Sequence, residues 1–184
     1  MRNMRLVTAL SGATLLLSFV AAPSCSAQVL ARPDRFGDVM QLLLPAAAAA
    51  LTLERGDADG LKELALSGAL AVGTTEVLKR VVNSPRPDGS KGGFPSAHAS
   101  IAFVSAAYVH QRYGAQWAVP MYGLATLAGY SRVSTHHHYF KDVVGGALIG
   151  IGSAFLLTHS FNSRTQAALG LSGGTLHVII TSQL

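Results

Sequence analysis

Three short stretches of this chain combine groups that bind phosphate with groups that carry protons or act as nucleophiles. They are, in chain order, Lys79 with Arg86-Pro87, then Pro95-Ser96-Ala97-His98, then Ser131-Arg132 with His138 and Asp142. A phosphate dianion needs several donors around its oxygens, and charged donors form the strongest of these hydrogen bonds. A nucleophile must also stand in line with the leaving oxygen. The three stretches together supply both kinds of group.

The candidate phosphate donors are cations and groups at a predicted helix start. Arg86 and Arg132 each offer a planar guanidinium that binds two oxygens at once, while Lys79 adds a compact charge. Ser96 precedes a predicted helix, whose free N–H groups, including that of Ala97, attract an anion. Each residue also has a plain structural interpretation, such as N-capping by Ser96 or anchoring of Lys79 at a membrane interface. Their joint occurrence favours one anion site.

The histidines divide into candidates for chemistry and candidates for structure. His138 and Asp142 are four residues apart, so on a helix they share one face, and the carboxylate can orient the ring for attack. His98 is placed to protonate a leaving alkoxide and then to activate water. Adjacent His136 and His137 cannot converge on one ion with His138, so we predict no metal and assign both to the rim of the site. Three further histidines are predicted to be structural: His110, His159 and His177.

In order and spacing, the three stretches resemble the signature of the phosphatidic acid phosphatase type 2 / vanadium haloperoxidase superfamily, K-x6-R-P, P-S-G-H and S-R-x5-H-x3-D. The resemblance covers residues 76 to about 150. Within the superfamily, the chain is similar to the branch of bacterial membrane lipid phosphatases. One position departs, because Ala97 stands where the family has glycine. Alanine keeps the backbone N–H group but leaves less room for a bulky substrate or a backbone with positive φ.

The resemblance implies a role for each motif residue. His138 would be the nucleophile that forms a phosphohistidine, with Asp142 as its partner and His98 as the general acid/base. The residues that would bind phosphate are Lys79, Arg86, Ser96, Ala97 and Arg132. The reaction implied is metal-independent hydrolysis of a phosphate monoester or diphosphate on a lipid, with no cofactor and no obligatory protein partner.

Composition agrees with a membrane partner and argues against nucleic acid. Hydrophobic residues make up 49% of the chain and charged residues only 12%, which is low for a soluble globular protein. The net charge is +5, yet there is no Lys/Arg-rich tract of the kind that follows a polyanion. The basic residues concentrate in or beside the three stretches, which indicates a local anionic site.

The N-terminus has the pattern of a segment that enters or crosses a membrane. Residues 1–5 are positive, residues 6–22 are apolar, and Cys25-Ser26-Ala27 gives a plausible cleavage point. Both a signal peptide and a first membrane helix fit this pattern. Cys25 is the only cysteine, so the chain forms no internal disulfide. The predicted organisation is a leader or first helix over 1–27, a helical domain over 28–160 and a C-terminal tail over 161–184.

The elements that must position the site are apolar helices separated by polar turns. A connector is predicted over 32–37, an acidic turn over 54–60 and a Pro/Gly-rich loop over 83–94. The predicted helices are 39–53, 61–82, 97–113, 116–129 and 142–159, the last with small residues spaced four apart. In the tail, residues 176–181 have β-type character. The fold class predicted is an all-α, membrane-embedded bundle of five to six helices.

Charge asymmetry predicts which side of the membrane the site faces. If the positive N-terminus stays in the cytoplasm, both motif-bearing loops lie outside it, toward the periplasm or exterior of a bacterial inner membrane. A periplasmic or secreted protein is the alternative location. Three other functions remain open: a secreted non-specific acid phosphatase, a vanadate-dependent haloperoxidase, and a non-catalytic membrane scaffold or lipid-binding protein.

Overall fold

The computed structural model describes residues 33–161, 166–172 and 175–181, which form a helical bundle followed by a two-stranded antiparallel sheet. The elements are α1 (Pro33–Glu54), α2 (Ala58–Val82), α3 (Ala97–Tyr113), α4 (Ala115–Ser134), α5 (Phe140–Leu157), β1 (Gln166–Ser172) and β2 (Thr175–Thr181). The predicted all-α class is confirmed, and the β-type run of the tail lies in β2. The leader predicted over residues 1–27, with Cys25, lies outside the described residues.

Helix α3 is the centre of the bundle and packs against each of the other four helices. Its buried face is built largely from small side chains, including Ala99, Ala102 and Ala106, which are fully buried. Small residues let helix axes approach closely, as is common among helices in membranes. A buried hydrogen bond of 3.0 Å from Thr75 Oγ1 to Ser100 Oγ ties α2 to α3.

Helix α5 lies against α3 because it carries glycine at the contact. A Cβ atom at Gly146 would collide with the carbonyl oxygen of Ser96, and one at Gly150 would collide with that of Ser100. The predicted small-residue spacing therefore marks a contact between backbones. Where α3 and α5 begin, Ser96 N–H donates to the Asp142 carbonyl oxygen at 2.9 Å, so the first turns of both helices meet.

Helix α1 begins earlier than predicted, and the proposed connector over 32–37 is wrong. Pro33 is the first helical residue, a position where the missing N–H costs nothing and the fixed φ is favourable. Gly37 then brings this turn against the end of α4, since a Cβ there would lie 2.7 Å from Ser131 Oγ and 2.8 Å from Arg132 Cδ. The start of α1 thereby contacts the third motif.

Other boundaries also differ from the sequence prediction, and two of them bear on how the bundle is held together. Helix α2 begins at Ala58, because Asp57 caps it by accepting a 2.8 Å hydrogen bond from Gly60 N–H. Helix α4 continues past its predicted end at residue 129 to Ser134, so Arg132 belongs to its last turn. Arg132 is thus held more firmly than a loop residue would be.

The outer surface of the bundle is apolar. Two helical segments, Arg35–Glu54 and Phe140–Leu157, have the length and composition of membrane spans. Large apolar side chains are exposed on the outer faces of the helices, among them Leu42, Val81, Val119, Leu148, Phe155 and Leu156. An apolar surface of this extent fits burial in lipid, in agreement with the predicted membrane-embedded bundle.

Contacts between helix ends show that the bundle has two distinct ends. The starts of α1, α3 and α5 meet, and the start of α1 also lies against the end of α4. We call the end where α1, α3 and α5 begin, and α2 and α4 finish, the site end, because all three motifs lie there. The opposite end is formed by the turn before Ala58, the turn at Gly114 and residues 158–161. The predicted placement of both motif-bearing loops on one face agrees with this arrangement.

Candidate active site

His138 and Asp142 form a buried pair at the junction of α4 and α5. His138 is 3% exposed and Asp142 is fully buried, with 3.5 Å between His138 Nδ1 and Asp142 Oδ2. Asp142 lies in the first turn of α5, where its Oδ2 accepts a 3.0 Å hydrogen bond from Tyr139 N–H. His138 N–H donates to the Arg132 carbonyl oxygen at 3.0 Å. Backbone hydrogen bonds therefore fix both members of the pair.

The surroundings of His138 keep its ring neutral. Burial, followed by the positive charge of Arg86, lowers the pKa of His138 to about 4, although Asp142 acts in the opposite direction. Lys79 adds a further positive charge nearby. Because this pKa lies below the usual value, the ring is unprotonated at neutral pH, and its nitrogen lone pair is available for attack.

Several buried polar atoms at the site end have no hydrogen-bond partner among the described residues. They include His138 Nδ1, Asp142 Oδ1 and Arg86 Nε. The 3.5 Å between His138 Nδ1 and Asp142 Oδ2 is an ion-pair distance, but it is too long for a hydrogen bond of good geometry. Since nearly all buried polar groups in folded proteins are paired, this concentration is typical of a functional site.

Arg86 is positioned by a tightly bonded loop between α2 and α3. Its N–H donates to the Ser90 carbonyl oxygen at 2.7 Å, and Gly93 N–H donates to the Ser84 carbonyl oxygen at 2.8 Å. Before this loop, Lys79 lies in the last turn of α2, whose end is capped by the backbone N–H of Asn83. The predicted irregular segment 83–94 is therefore a fixed support for a cation.

Ser96 is the N-cap of α3 and is fully buried, and His98 lies in the first turn of the same helix. The capping interpretation of Ser96 and its assignment to an anion site are therefore compatible, because the cap leaves the helix N-terminus at the site. Ala97, where the family has glycine, is the first residue of α3.

An acidic residue that the motifs do not contain joins His98 to Arg132. Asp38 Oδ1 lies 2.8 Å from His98 Nε2 and accepts a 3.0 Å hydrogen bond from Arg132 Nη1. Asp38 belongs to the second turn of α1, close to Gly37. No spacing or motif in the sequence pointed to it, because its partners lie 60 and 94 residues away.

The motif cations and histidines influence one another electrostatically. The charges that act on His138 include those of Arg86 and Lys79, and the charges that act on His98 include those of Arg132 and Lys79. The structure therefore brings the three predicted cations and the two predicted catalytic histidines into one site.

The three consecutive histidines have different surroundings. His136 is exposed and has a left-handed backbone with φ of 58°, while His137 is half-buried and its Nδ1 lies 2.8 Å from Thr135 Oγ1. Only His138 of the three is buried. Over the described part of the chain, no group of three or more His, Cys, Asp or Glu residues is arranged to hold a metal ion. His110 packs edge-on against Tyr122, and His177 has no described side chain.

Known phosphatases resemble this chain over most of its helical part. The pattern of the PAP2 superfamily matches residues 60–166. The lipid A 4'-phosphatase of Helicobacter pylori is 33% identical over 143 residues, which cover 71% of this chain and 72% of that protein. The lipid A 1-phosphatase of Porphyromonas gingivalis is 35% identical over 91 residues, covering 47% of this chain and 20% of that protein.

A solved structure shares the fold. The crystal structure of LpxE from Aquifex aeolicus superposes with a TM-score of 0.61, and the match covers 78% of this chain and 92% of that chain. The sequences are 24% identical over the match, so this comparison bears on the helical architecture alone.

Proposed function

Because the chain belongs to the PAP2 superfamily, we propose a specific reaction for its site end. The protein is a phosphatase that acts on lipid phosphates. In our proposal it cleaves the phosphate without a metal ion, through a phosphohistidine, on the extracytoplasmic face of the membrane. One observation carries the proposal: a neutral His138 is buried against Asp142, and the positive charges of Arg86 and Lys79 act on its ring.

In the first half of the reaction, the phosphate group is transferred to His138. Arg86, Arg132 and Lys79 neutralise the phosphate oxygens, and Nε2 of His138 attacks phosphorus while Nδ1 faces Asp142. The P–N bond forms as the bond to the leaving oxygen breaks, and His98 donates its proton to that oxygen. Asp142 stabilises the positive charge that develops on the attacking ring, as the acid does in catalytic triads.

In the second half, water releases the phosphate. His98, now neutral, takes a proton from water as the oxygen attacks phosphorus and the P–N bond breaks. The products are inorganic phosphate and free His138, and His98 regains the proton that it donated. Each histidine therefore returns to its starting state, and no further reactant is required.

Lipid A is the first substrate to test, because both similar curated proteins are lipid A phosphatases. Purified protein in detergent should release phosphate from lipid A in the presence of EDTA, and His138→Ala should release none. Phosphatidate, phosphatidylglycerophosphate and undecaprenyl diphosphate serve as comparison substrates. Mass spectrometry of the product identifies which lipid A phosphate is removed. If the protein released phosphate from none of the four lipids, the lipid phosphatase function would be contradicted.

The covalent intermediate has its own test. Acid-sensitive, base-stable ³²P label should remain on the protein after rapid quenching of turnover with labelled substrate. The same label should be missing from His138→Ala, and His98→Gln should retain it for longer because the second half-reaction is slowed. Equal labelling of His138→Ala and the unmodified protein would exclude His138 as the nucleophile.

The face of the membrane is tested by labelling introduced cysteines. With Cys25→Ser as background, Ser90→Cys in the loop at the site end should react with an impermeant thiol reagent in intact spheroplasts. Ala58→Cys, at the opposite end, should react only after the membrane is opened. The reverse pattern would place the site on the cytoplasmic face.

A further inference from the structure

Helix α1 contributes to the site a carboxylate that lies outside the three motifs. Asp38 Oδ1 lies 2.8 Å from His98 Nε2 and 3.0 Å from Arg132 Nη1, so a single oxygen contacts both groups. The imidazole and guanidinium side chains are 21% and 7% exposed, whereas the Asp38 side chain is 61% exposed. The carboxylate thus lies at the mouth of the site, with its bonded partners further inside.

The position of Asp38 is determined by packing on both sides of it. Gly37 lies against Ser131 and Arg132 so closely that a Cβ atom would collide, and both Phe36 and Met40 are buried in the core. A helical turn held in this way cannot move its carboxylate far from α4. The contacts of Asp38 are therefore part of the fold.

The charges around His98 explain why a carboxylate is needed there. Helix α2 provides Lys79 and helix α4 provides Arg132, and both positive charges act on the ring. On α5, the nearest acidic group is Asp142, which faces His138. Asp38 on α1 is the anion that contacts His98 directly. A general acid must be protonated when substrate is bound, but burial of the ring and then the two neighbouring cations oppose that protonation.

We propose that Asp38 is a positioning residue for His98: its carboxylate holds Nε2–H and supplies the negative charge that favours the protonated ring, against the effect of Arg132 and Lys79. The transferable proton is then on Nδ1. When that proton passes to the leaving oxygen, Asp38 retains the Nε2–H tautomer, so that Nδ1 can accept a proton from water. This inference depends on the role of His98 in the proposed function.

The substitution that tests the inference is Asp38→Asn, which removes the charge and keeps the shape. Asp38→Glu keeps the charge, and Asp59→Asn is a matched control because Asp59 is an exposed carboxylate at the opposite end, paired with Lys62 at 2.9 Å. The first readout is NMR titration of labelled histidines in detergent, with the His98 signal assigned by its loss in His98→Gln. In Asp38→Asn, the titration midpoint of His98 should fall by about one pH unit.

The second readout is the pH dependence of turnover. In Asp38→Asn, the alkaline limb of the pH profile of kcat should move to lower pH by the same amount. At pH values above this limb, kcat should be roughly tenfold lower than in the unmodified protein. KM should change less than kcat, Asp38→Glu should recover most of the loss, and Asp59→Asn should match the unmodified protein. An unchanged His98 midpoint and an unchanged limb would overturn the inference.

Two other outcomes are equally informative. If Asp38→Asn raises kcat and strengthens inhibition by vanadate, the carboxylate competes with phosphate, and the positioning role is wrong. If the unmodified protein releases no phosphate from the lipids tested, the proposed function fails, whereas the NMR titration still decides whether Asp38 controls His98. Thermal unfolding of each variant in detergent verifies that the comparison is made between folded proteins.

Discussion

The two ends of the bundle both bury arginine with acidic groups, but they use these groups differently. At the opposite end, Arg112 donates to Asp57 through Nε at 2.7 Å and Nη2 at 2.6 Å. Its Nη1 donates to Glu63 at 3.1 Å and to the His159 carbonyl oxygen at 2.9 Å. Tyr113 adds a 2.9 Å hydrogen bond to Asp57. The arginine is therefore enclosed by acceptors from three parts of the chain.

At the site end, the corresponding groups are only partly bonded. Arg86 Nε, His138 Nδ1 and Asp142 Oδ1 are buried and have no hydrogen-bond partner among the described residues. Leaving such groups unpaired lowers stability, typically by about 1–3 kcal/mol for each group. A fold retains them where they are needed for chemistry.

The pKa shifts follow the same contrast. Burial acts to raise the pKa of Asp57, but hydrogen bonds from Arg112, Gly60 and Tyr113 outweigh it, so the pKa is lowered and the carboxylate stays charged. Burial lowers the pKa of His138 to about 4 and Arg86 adds to this shift, so the ring stays neutral. One end stabilises a charged pair between the start of α2 and the end of α3, and the other maintains a neutral nucleophile.

The largest effect that the comparison predicts is the loss of turnover in His138→Ala. We expect kcat to fall by at least about 10³-fold, because removing the nucleophile abolishes the covalent route. His136→Ala is the matched control: its side chain is exposed, two positions away, and its loss should change kcat little. Phosphate release from the preferred lipid measures both. If His138→Ala were active and His136→Ala inactive, the assignment of His138 as the nucleophile of the third motif would be wrong.

The next effect concerns stability at the opposite end. Asp57→Asn should destabilise the protein by about 3 kcal/mol, since it leaves Arg112 buried with only part of its charge compensated. Turnover of the folded protein should be unchanged, because Asp57 lies at the opposite end from the site. Asp59→Asn, in an exposed pair with Lys62, should cost much less stability, because water and salt weaken an exposed ion pair.

Thermal unfolding in detergent distinguishes these variants. The Asp57 contribution should also depend on pH. Because its folded pKa is depressed, the stabilisation is present above the usual carboxyl range and is lost as pH falls through the folded value. Equal stability of Asp57→Asn and Asp59→Asn would mean that the closed network contributes little.

What could be predicted from sequence differs between the two ends. The motif residues were found because their spacing is local: Ser96 and His98 lie at one helix start, and His138 and Asp142 are one turn apart. Asp38 and the partners of Arg112 were missed, because these pairs join residues 47 to 94 positions apart and no local pattern encodes them. Long-range hydrogen bonds depend on which helix ends meet, and this is settled only by packing.

Helix boundaries were missed for a related reason. The connector before α1 was predicted from its polar residues and Pro33, but proline is also a good first residue of a helix. Packing of Gly37 against Arg132 then favours the longer helix. The helical core was predictable because apolar runs and small-residue spacing are strong signals, whereas helix ends depend on caps and tertiary contacts.

A smaller effect is predicted for the contact that holds the two halves of the site together. Gly146→Ala should destabilise the protein by about 2 kcal/mol, because its methyl group meets the Ser96 backbone and forces α5 away from α3. The shift also moves Asp142, so activity should fall in the folded protein. Gly152→Ala lies on the same helix with open space at its Cβ and should leave both properties unchanged. The measurements are the unfolding temperature and the rate of phosphate release. Equal values for the two variants would contradict this account of the site.

The smallest expected effect is that of chelators, for which we predict none on turnover. At the opposite end, the charge of Arg112 is compensated by Asp57 and Glu63. At the site end, Lys79 and Arg86 direct net positive charge at His138, and this charge can neutralise a phosphate dianion in place of a metal ion. Phosphate release should therefore be equal with and without EDTA, while vanadate, which adopts the five-coordinate geometry of the transferring phosphoryl group, should inhibit. Unfolding temperature measured in the same EDTA samples separates a loss of structure from a loss of chemistry. Activity that EDTA removes from folded protein and that Mg²⁺ or Zn²⁺ restores would show that these cations are insufficient and that the proposed mechanism is wrong.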